Sequence, residues 1–202
     1  MSFDPAKEIT RDSIIMHHPA ITKEDSMRIA HEIDSTDYLL VFENKTNTWL
    51  DTTLGRQHST WADFHLIEYS SDNGHQVHPT APDNQFLTDY APLLIWSPDS
   101  TYFLDIGSDS HELVKGANGK MHLEFVDLEN TIDLINYKLR TSEKIFFFGF
   151  STSAWDAHWM DTSHVALLGR YNPNSDGHPD TILWVINIKN NFISKYKFTR
   201  SQ

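Results

Sequence analysis

Cysteine is absent from this 202-residue chain, which removes disulfides, thiolate metal sites and cysteine nucleophiles together. No run approaches the ~18 apolar residues that a membrane-spanning helix requires. The opening MSFDPAKEITRDSIIMHHPA has no apolar stretch after a basic start, as an export signal would. The expectation is a cytoplasmic protein without membrane contact. Positive charge is scarce too: 16 Lys and Arg stand against 28 Asp and Glu, for a net charge of −12. Phosphate recognition needs a basic surface, so nucleic acid is excluded as a partner. The scarcity is local as well as global. From Gln57 to Val114 there is no Lys or Arg, while Asp63, Glu68, Asp72, Asp83, Asp89, Asp99, Asp105, Asp109 and Glu112 fall there. Beyond Asp180 the sign reverses, with Lys189, Lys195, Lys197 and Arg200 and no acid.

What the chain does have is short apolar runs at regular spacing. Residues 1–20 read as a polar lead-in. Thr22-Lys23-Glu24-Asp25 resembles a capping box, and Ile21, Met27, Ala30 and Ile33 share a helical face, predicting a short helix over about 23–33. From Asp37 the pattern becomes YLLVF (38–42), NTWLDTT (47–53), FHLIEY (64–69), PLLIW (92–96) and TYFLDI (101–106). It continues with HLEFVDL (122–128), KIFFFGF (144–150), HVALLG (164–169) and TILWVINI (181–188). Turn signals separate these runs: Asn44–Asn47, Asp72-Asn73-Gly74, Ser97-Pro98-Asp99-Ser100 and Asn118-Gly119. Strands of this length with such punctuation predict a mainly β, antiparallel fold. The expected organisation is a lead-in and helix over 1–36, then one β domain over 37–202.

An internal repeat refines this. IWSPDSTYFLDIG around Trp96 aligns with HWMDTSHVALLGR around Trp159, and FVDLENTIDLINYKL (125–139) aligns with VINIKNNFISKYKF (185–198). Each unit reads as a four-stranded meander with a period near 60, at about 90–146 and 147–202. Trp96-Ser97-Pro98-Asp99-Ser100 followed by an apolar strand resembles the WSPDG signature of TolB-type, WD40-like propeller repeats, over about half the chain. The resemblance implies blade-like sheets, with the turn joining the innermost strand to the second. Closed propellers need at least four blades, and the chain has room for about three units of this period. An open stack, a sandwich that borrows the meander, or closure by oligomerisation would reconcile the two; a compact one-domain arrangement is expected.

Asn172-Pro173-Asn174-Ser175-Asp176-Gly177-His178-Pro179-Asp180 resembles the D-x-D-x-D-G-x-x-D loop of FG-GAP-type propellers. The resemblance implies calcium ligands at Asn172, Asn174, Asp176, the His178 carbonyl and Asp180. Oxygen donors at positions 1, 3, 5, 7 and 9 with glycine at 6 suit a hard cation, although only two are carboxylates, so binding would be weak. The same residue types also build ordinary turns. His75 and His78 are out of phase on a strand and would face opposite ways. Ser151, Asp156 and His158 form a loose Ser/His/Asp grouping without the glycine pair of a nucleophile elbow. Trp96, Trp159 and Trp184 read as packing residues, and Trp49, Trp61 and Trp155, near turns, as candidates for a contact patch. The expected function is a non-enzymatic, protein-binding module presenting an acidic face to a basic partner, in the manner of an inhibitor or immunity protein. The alternative is a hydrolase using the His- and Asp-rich 58–112 region, with or without a metal.

Overall fold

The computed structural model describes residues 23–43, 46–55, 61–71, 76–127, 130–149, 151–172 and 178–199. Helix α1 (Lys23–Tyr38) runs directly into a π-helical turn, Leu39–Glu43, and α2 (Thr46–Thr53) follows. Then come β1 (Phe64–Ser71), β2 (Val77–Pro79), α3 (Asn84–Asp89), β3 (Leu94–Trp96), β4 (Tyr102–Asp105), β5 (His111–Lys115) and β6 (Met121–Phe125). The chain finishes with β7 (Asn130–Asn136), β8 (Thr141–Phe148), β9 (Thr152–Trp159), β10 (His164–Tyr171), β11 (Asp180–Asn187) and β12 (Phe192–Phe198). The fold is mainly β, with antiparallel pairing throughout the described ladders. No helix among the described residues is long and apolar enough to cross a membrane.

Sheet I has the order β2-β8-β7-β4-β3, sheet II the order β1-β12-β11-β10-β9, and β5-β6 is a separate two-stranded ribbon. Each large sheet is a four-stranded meander whose outer edge is completed by a strand from earlier in the chain. β2 pairs with β8, and β1 pairs with β12 from Phe64↔Phe198 to Ser71↔Phe192. Among the described residues the sheets do not close into a barrel or ring.

Trp96 and Trp159 end the first strand of their meanders, and the following turns close alike. Ser97 N–H donates to Tyr102 O, and Met160 N–H to His164 O. Asp99 accepts from Ser97 Oγ and Thr101 N–H; Asp161, one step into an unrelated Met-Asp-Thr turn, accepts from Ser163 N–H and His164 N–H. The second half of the sequence alignment needs correction. Residues 125–139 do not match 185–198; instead Ile135-Asn136-Tyr137-Lys138 matches Ile186-Asn187-Ile188-Lys189. Asn136 Oδ1 and Asn187 Oδ1 both accept turn N–H groups, and Arg140 and Asn191 both take positive φ. The slip arises because the β4–β7 connection carries the inserted β5–β6 ribbon and is much longer in sequence than the β10–β11 connection.

The matched residues face opposite ways relative to the shared core. Leu104, Ile106, Ile132 and Leu134 of sheet I meet Val165, Leu167, Ile182, Trp184 and Ile186 of sheet II between the sheets. Phe103 and Ile135, the counterparts of Val165 and Ile186, instead point away and pack with Leu94 under Phe86, Leu87 and Tyr90 of the α3 region. The sheets are therefore related as by a rotation that stacks the front of one on the back of the next. A two-fold pairing would turn equivalent residues inward together. This explains why Trp96 is 39% exposed, against Phe103 and Tyr137, while Trp159 is 6% exposed and donates its indole N–H to Ile95 O at 2.8 Å. Trp96 is thus a packing residue at the border of the α3-side cluster, and Trp159 one between the sheets.

Sheet II is buried on both faces. Its far side carries Ala166, Leu168, Leu183, Val185 and Tyr196, covered by Val41, Leu50 and the flanking Leu40, Trp49, Leu54 and Trp61. That demand corrects two strand expectations: 38–42 is π-helical over 39–43 and 47–53 lies in α2. Their β-favouring composition yields to tertiary packing: with the strands of sheet II already paired, these residues serve as the helical layer over its far face. The helix predicted at 23–33 extends to Tyr38. Ser35 and Thr36 turn their hydroxyls back onto the His31 and Glu32 carbonyls at 2.8 and 2.9 Å, so the polar run that reads as a break is absorbed.

Candidate functional site

The residues singled out from sequence divide sharply. Of the proposed calcium ligands, Asn174 and Asp176 lie outside the described residues, as do His75 and Asp72. Asn172 follows β10 with its Oδ1 buried and without a hydrogen-bond partner, and His178 is exposed. Asp180 opens β11 and accepts from Lys197 Nζ at 2.8 Å. Among the described residues no group of three or more His, Asp or Glu side chains is arranged to hold a metal ion.

The acidic block is mostly committed to local structure. Asp83 caps α3 through Phe86 N–H at 2.7 Å, and Asp89 accepts from Gln85. Asp99 holds its turn, where the Ser97 hydroxyl and Thr101 keep its carboxyl below the usual range. Asp105 accepts from Gly107 N–H, Ser108 N–H and the Ser108 hydroxyl; Asp109 accepts from Thr131 N–H and Oγ1. Glu68 meets Lys195 at 3.2 Å. The basic C-terminal stretch is thus drawn against β1 and the start of β11. One pair stands apart: Asp105 and Asp133 are direct cross-strand partners beside a cavity under residues 80–86. Burial pushes the Asp133 carboxyl up; Lys144 opposes this, and Asp105 and Asp109 add to it.

The Ser151/Asp156/His158 grouping serves packing. Asp156 Oδ2 accepts from Trp49 Nε1 at 2.9 Å and Thr53 Oγ1 at 2.8 Å, while His158 stacks on Trp49 with ring centroids 5.4 Å apart. Burial lowers the His158 pKa. The pair fastens α2 to sheet II, and Ser151 supplies its carbonyl to Asn172 N–H. Trp61 donates to Asp34 and packs on Tyr196, so among the turn-proximal tryptophans Trp155, beneath the Arg170 guanidinium at 5.3 Å, retains the exposed character expected.

Two features were not foreseen. The first is the β5–β6 ribbon: HLEFVDL (122–128) reads as a strand, but its partner His111–Lys115 is not among the expected runs. Its strands alternate with period two around a Gly116–Gly119 turn, where Gly119 takes φ +76. One face carries the pairs His111↔Phe125, Leu113↔Leu123 and Lys115↔Met121; the other carries Glu112↔Glu124 and Val114↔His122. Met121, Phe125 and the adjacent Val126 are 51, 54 and 52% exposed, and none of the ribbon's side chains joins the three apolar clusters among the described residues. The ribbon's base is fixed by Val126 N–H to Ser110 O and by His111 Nδ1, which donates to Gly107 O at 2.8 Å. The alternation HELVK and MHLEF around Asn118-Gly119 was the signal that could have found it.

The second feature is a cavity of about 200 Å³ between α1 and the far face of sheet II, lined by Asp37, Ser194, His164, Asn187, Phe192 and Ile33 among others. Tyr196 donates to Asp37 Oδ2 at 2.7 Å. Burial pushes the Asp37 carboxyl up to about 6; the Tyr196 and Ser194 hydroxyls and His164 pull it partly back, while Asp34 adds to the rise. Burial and the neighbouring Asp37 raise the Tyr196 pKa. Beside them, Asn187 Oδ1 accepts from Lys189 N–H at 3.0 Å, so its amide nitrogen faces His164 Nε2 at 3.0 Å and donates to it. His164 therefore carries its proton on Nδ1, 2.8 Å from Asp161 Oδ2. Burial raises the Asp161 carboxyl, but the Ser163 and His164 hydrogen bonds outweigh that and hold it below its ordinary value.

Compared with protein-family models, curated proteins and solved structures, the chain gives no match.

Proposed function

We propose that this protein is a binding module that engages a basic protein partner through the β5–β6 ribbon, with the two meanders as blade-like scaffold of the TolB type. The observation that carries the reading is the uncovered apolar face of the ribbon. A two-stranded ribbon without a third strand or a covering element is marginal on its own, and an exposed apolar patch with a polar rim is the ordinary mark of a contact surface. The opposite face places Glu112 directly across from Glu124. Like charges so paired are locally unfavourable, and a cationic partner relieves the repulsion. The front-to-back stacking of equivalent faces supports the blade reading, because successive blades of one propeller stack in that way. The commitment of Glu68, Asp83, Asp89, Asp99, Asp105 and Asp109 to caps, turns and ion pairs weighs against the hydrolase alternative.

The test places a photo-crosslinking amino acid at Met121, and at the exposed Ala62 as control, in cells that naturally make the protein. A basic protein crosslinked at 121 but not at 62, and lost on Leu123→Asp and on Glu112→Lys with Glu124→Lys, supports the reading. Those variants should melt within a few degrees of the wild type, since the ribbon stands outside the core. Crosslinks of equal pattern at both positions, or capture that survives both sets of substitutions, would overturn it.

A further inference from the structure

We propose that the cavity between α1 and sheet II is a binding site for a small organic cation, a primary ammonium on a short apolar chain. Ser194 is 1% exposed and lines the cavity, and its hydroxyl lies near Asp37 and Tyr196 without closing a well-formed hydrogen bond to either. A buried hydroxyl left unmatched costs free energy unless something in the space satisfies it. Asp37, 7% exposed, stands at the same wall. Among the described residues no Lys or Arg lines the cavity.

Apolar wall comes from Ile33 and Leu40 on the helical side and from Val185 and Phe192 on the strands, beside the polar Glu32, Thr36, His164 and Asn187. An aromatic ring beside a buried carboxylate suits an ammonium, which the ring's π face also attracts. At about 200 Å³ the space is below the ~300 Å³ at which drug-sized pockets begin, so the ligand is small. Asp37 sits at the junction of α1 with the π-helical turn, a rare backbone form that often marks functional positions.

The charge state of the site is set by several groups. Glu32 lines it from α1, where the charge of Asp34 also acts on Asp37; Tyr196 and Ser194 adjoin Asp37 from β12, and His164, backed by Asp161, lines it from β10. A bound ammonium needs Asp37 ionised. Its carboxyl, raised to about 6 by burial, holds its negative charge at pH 7.5 and gives it up by pH 5.

The experiment uses the full chain and three probes of equal heavy-atom skeleton or nearly so: n-butylammonium, neutral 1-butanol and anionic butyrate. Binding is followed by NMR shifts at residues 36–40, 185, 187 and 194. At pH 7.5, n-butylammonium should bind at least tenfold more tightly than 1-butanol, and butyrate should not bind. The preference should vanish at pH 5 and in Asp37→Asn. Ser194→Val replaces the hydroxyl at the wall with methyl groups and should weaken n-butylammonium at least tenfold with little change in melting temperature, which keeps the test decisive if Asp37→Asn folds poorly. Equal affinity for the ammonium and the alcohol would reduce the site to an apolar void. No shift at these residues with any probe would show that only water fills it. Either result overturns the proposal.

Discussion

Sheets I and II begin from one plan and end in different environments. Where sheet II places Leu167 directly across from Trp184 in the middle of the core, sheet I places Asp105 across from Asp133 at the equivalent point of its meander. The difference follows from what covers each face. The back of sheet II receives sheet I, so its equivalent positions must be apolar; fully burying a side chain of this size is worth roughly 2–3 kcal/mol. The back of sheet I receives only the short α3 segment, which seats on Phe103, Leu94 and Ile135 and leaves a cavity beside the carboxylates. The far face of sheet II in turn takes the N-terminal helical layer, which occupies the place a further sheet would fill. Equivalence in the chain therefore fixes the backbone path, and the neighbour fixes the side chain.

The sharpest way to break this comparison is to exchange the chemistry. Leu167→Asp puts a charge in the shared core with no partner and should cost more than ~4 kcal/mol, enough to prevent folding at 37 °C. Asp133→Leu removes a half-buried carboxylate opposite another, and should leave the protein as stable or up to about 1 kcal/mol more stable once solvent screening is allowed for. Chemical denaturation of both reads the contrast. A Leu167→Asp protein that unfolds near the wild-type midpoint would mean the sheets do not share this core.

Next come two glycines at matching places, Gly169 within β10 and Gly107 just after β4. A Cβ on Gly169 would stand 2.1 Å from the Ser153 carbonyl oxygen and 2.8 Å from Trp184 Cζ3, both fixed by the sheet. At the matching Gly107 it would meet the His111 ring and Ser110 hydroxyl at 3.3 Å, side chains that can shift. Gly169→Ala should cost about 3 kcal/mol and Gly107→Ala under about 1 kcal/mol, by the usual price of overpacking. Equal losses in melting temperature would show that the two bends are not differently packed.

The smallest effect is at the paired turns. Asp161→Ala removes the acceptor of two backbone N–H groups and of His164, and should cost about 1 kcal/mol, in the range of lost caps. Asp99→Ala, at a fully exposed turn, should lower the melting temperature less. Both carboxyls lie below their ordinary values in the folded protein. Their contributions are therefore complete above the ordinary carboxylate range and decline as pH falls through the lowered folded-state pKa. Each variant should approach the wild type in stability below pH 3. A gap that stays constant down to that pH would assign the loss to packing rather than to charge.

Much of the fold was legible for a simple reason: Trp96 and Trp159, their aspartate turns, and the strands that follow are local patterns, and local patterns survive in any tertiary setting. β1, β4, β8, β10 and β11 were found in this way. β5 was not, because Glu112 and His111 made an amphipathic strand read as a polar loop. The helical stretch through Val41 and Leu50 was misread because aromatic and branched residues favour either a strand or a buried helical face, and the sequence does not say which surface awaits them. The candidate sites were less legible. Asp37 is carried 157 residues in sequence from Ser194, and neither residue signals the other.

By itself, the sequence determined that the chain lacks disulfide and thiolate chemistry, builds antiparallel meanders, repeats a tryptophan–turn–strand unit and carries excess negative charge. These follow from residue types and from spacings of a few positions. Only the tertiary structure decided that equivalent faces point opposite ways, that β1 crosses to the later sheet and β2 to the earlier, and that the C-terminal lysines meet Glu68 and Asp180. It alone brought Asp37, Ser194 and His164 to one cavity. Burial and long-range pairing belong to surfaces that exist only once the sheets have met, so no local pattern encodes them.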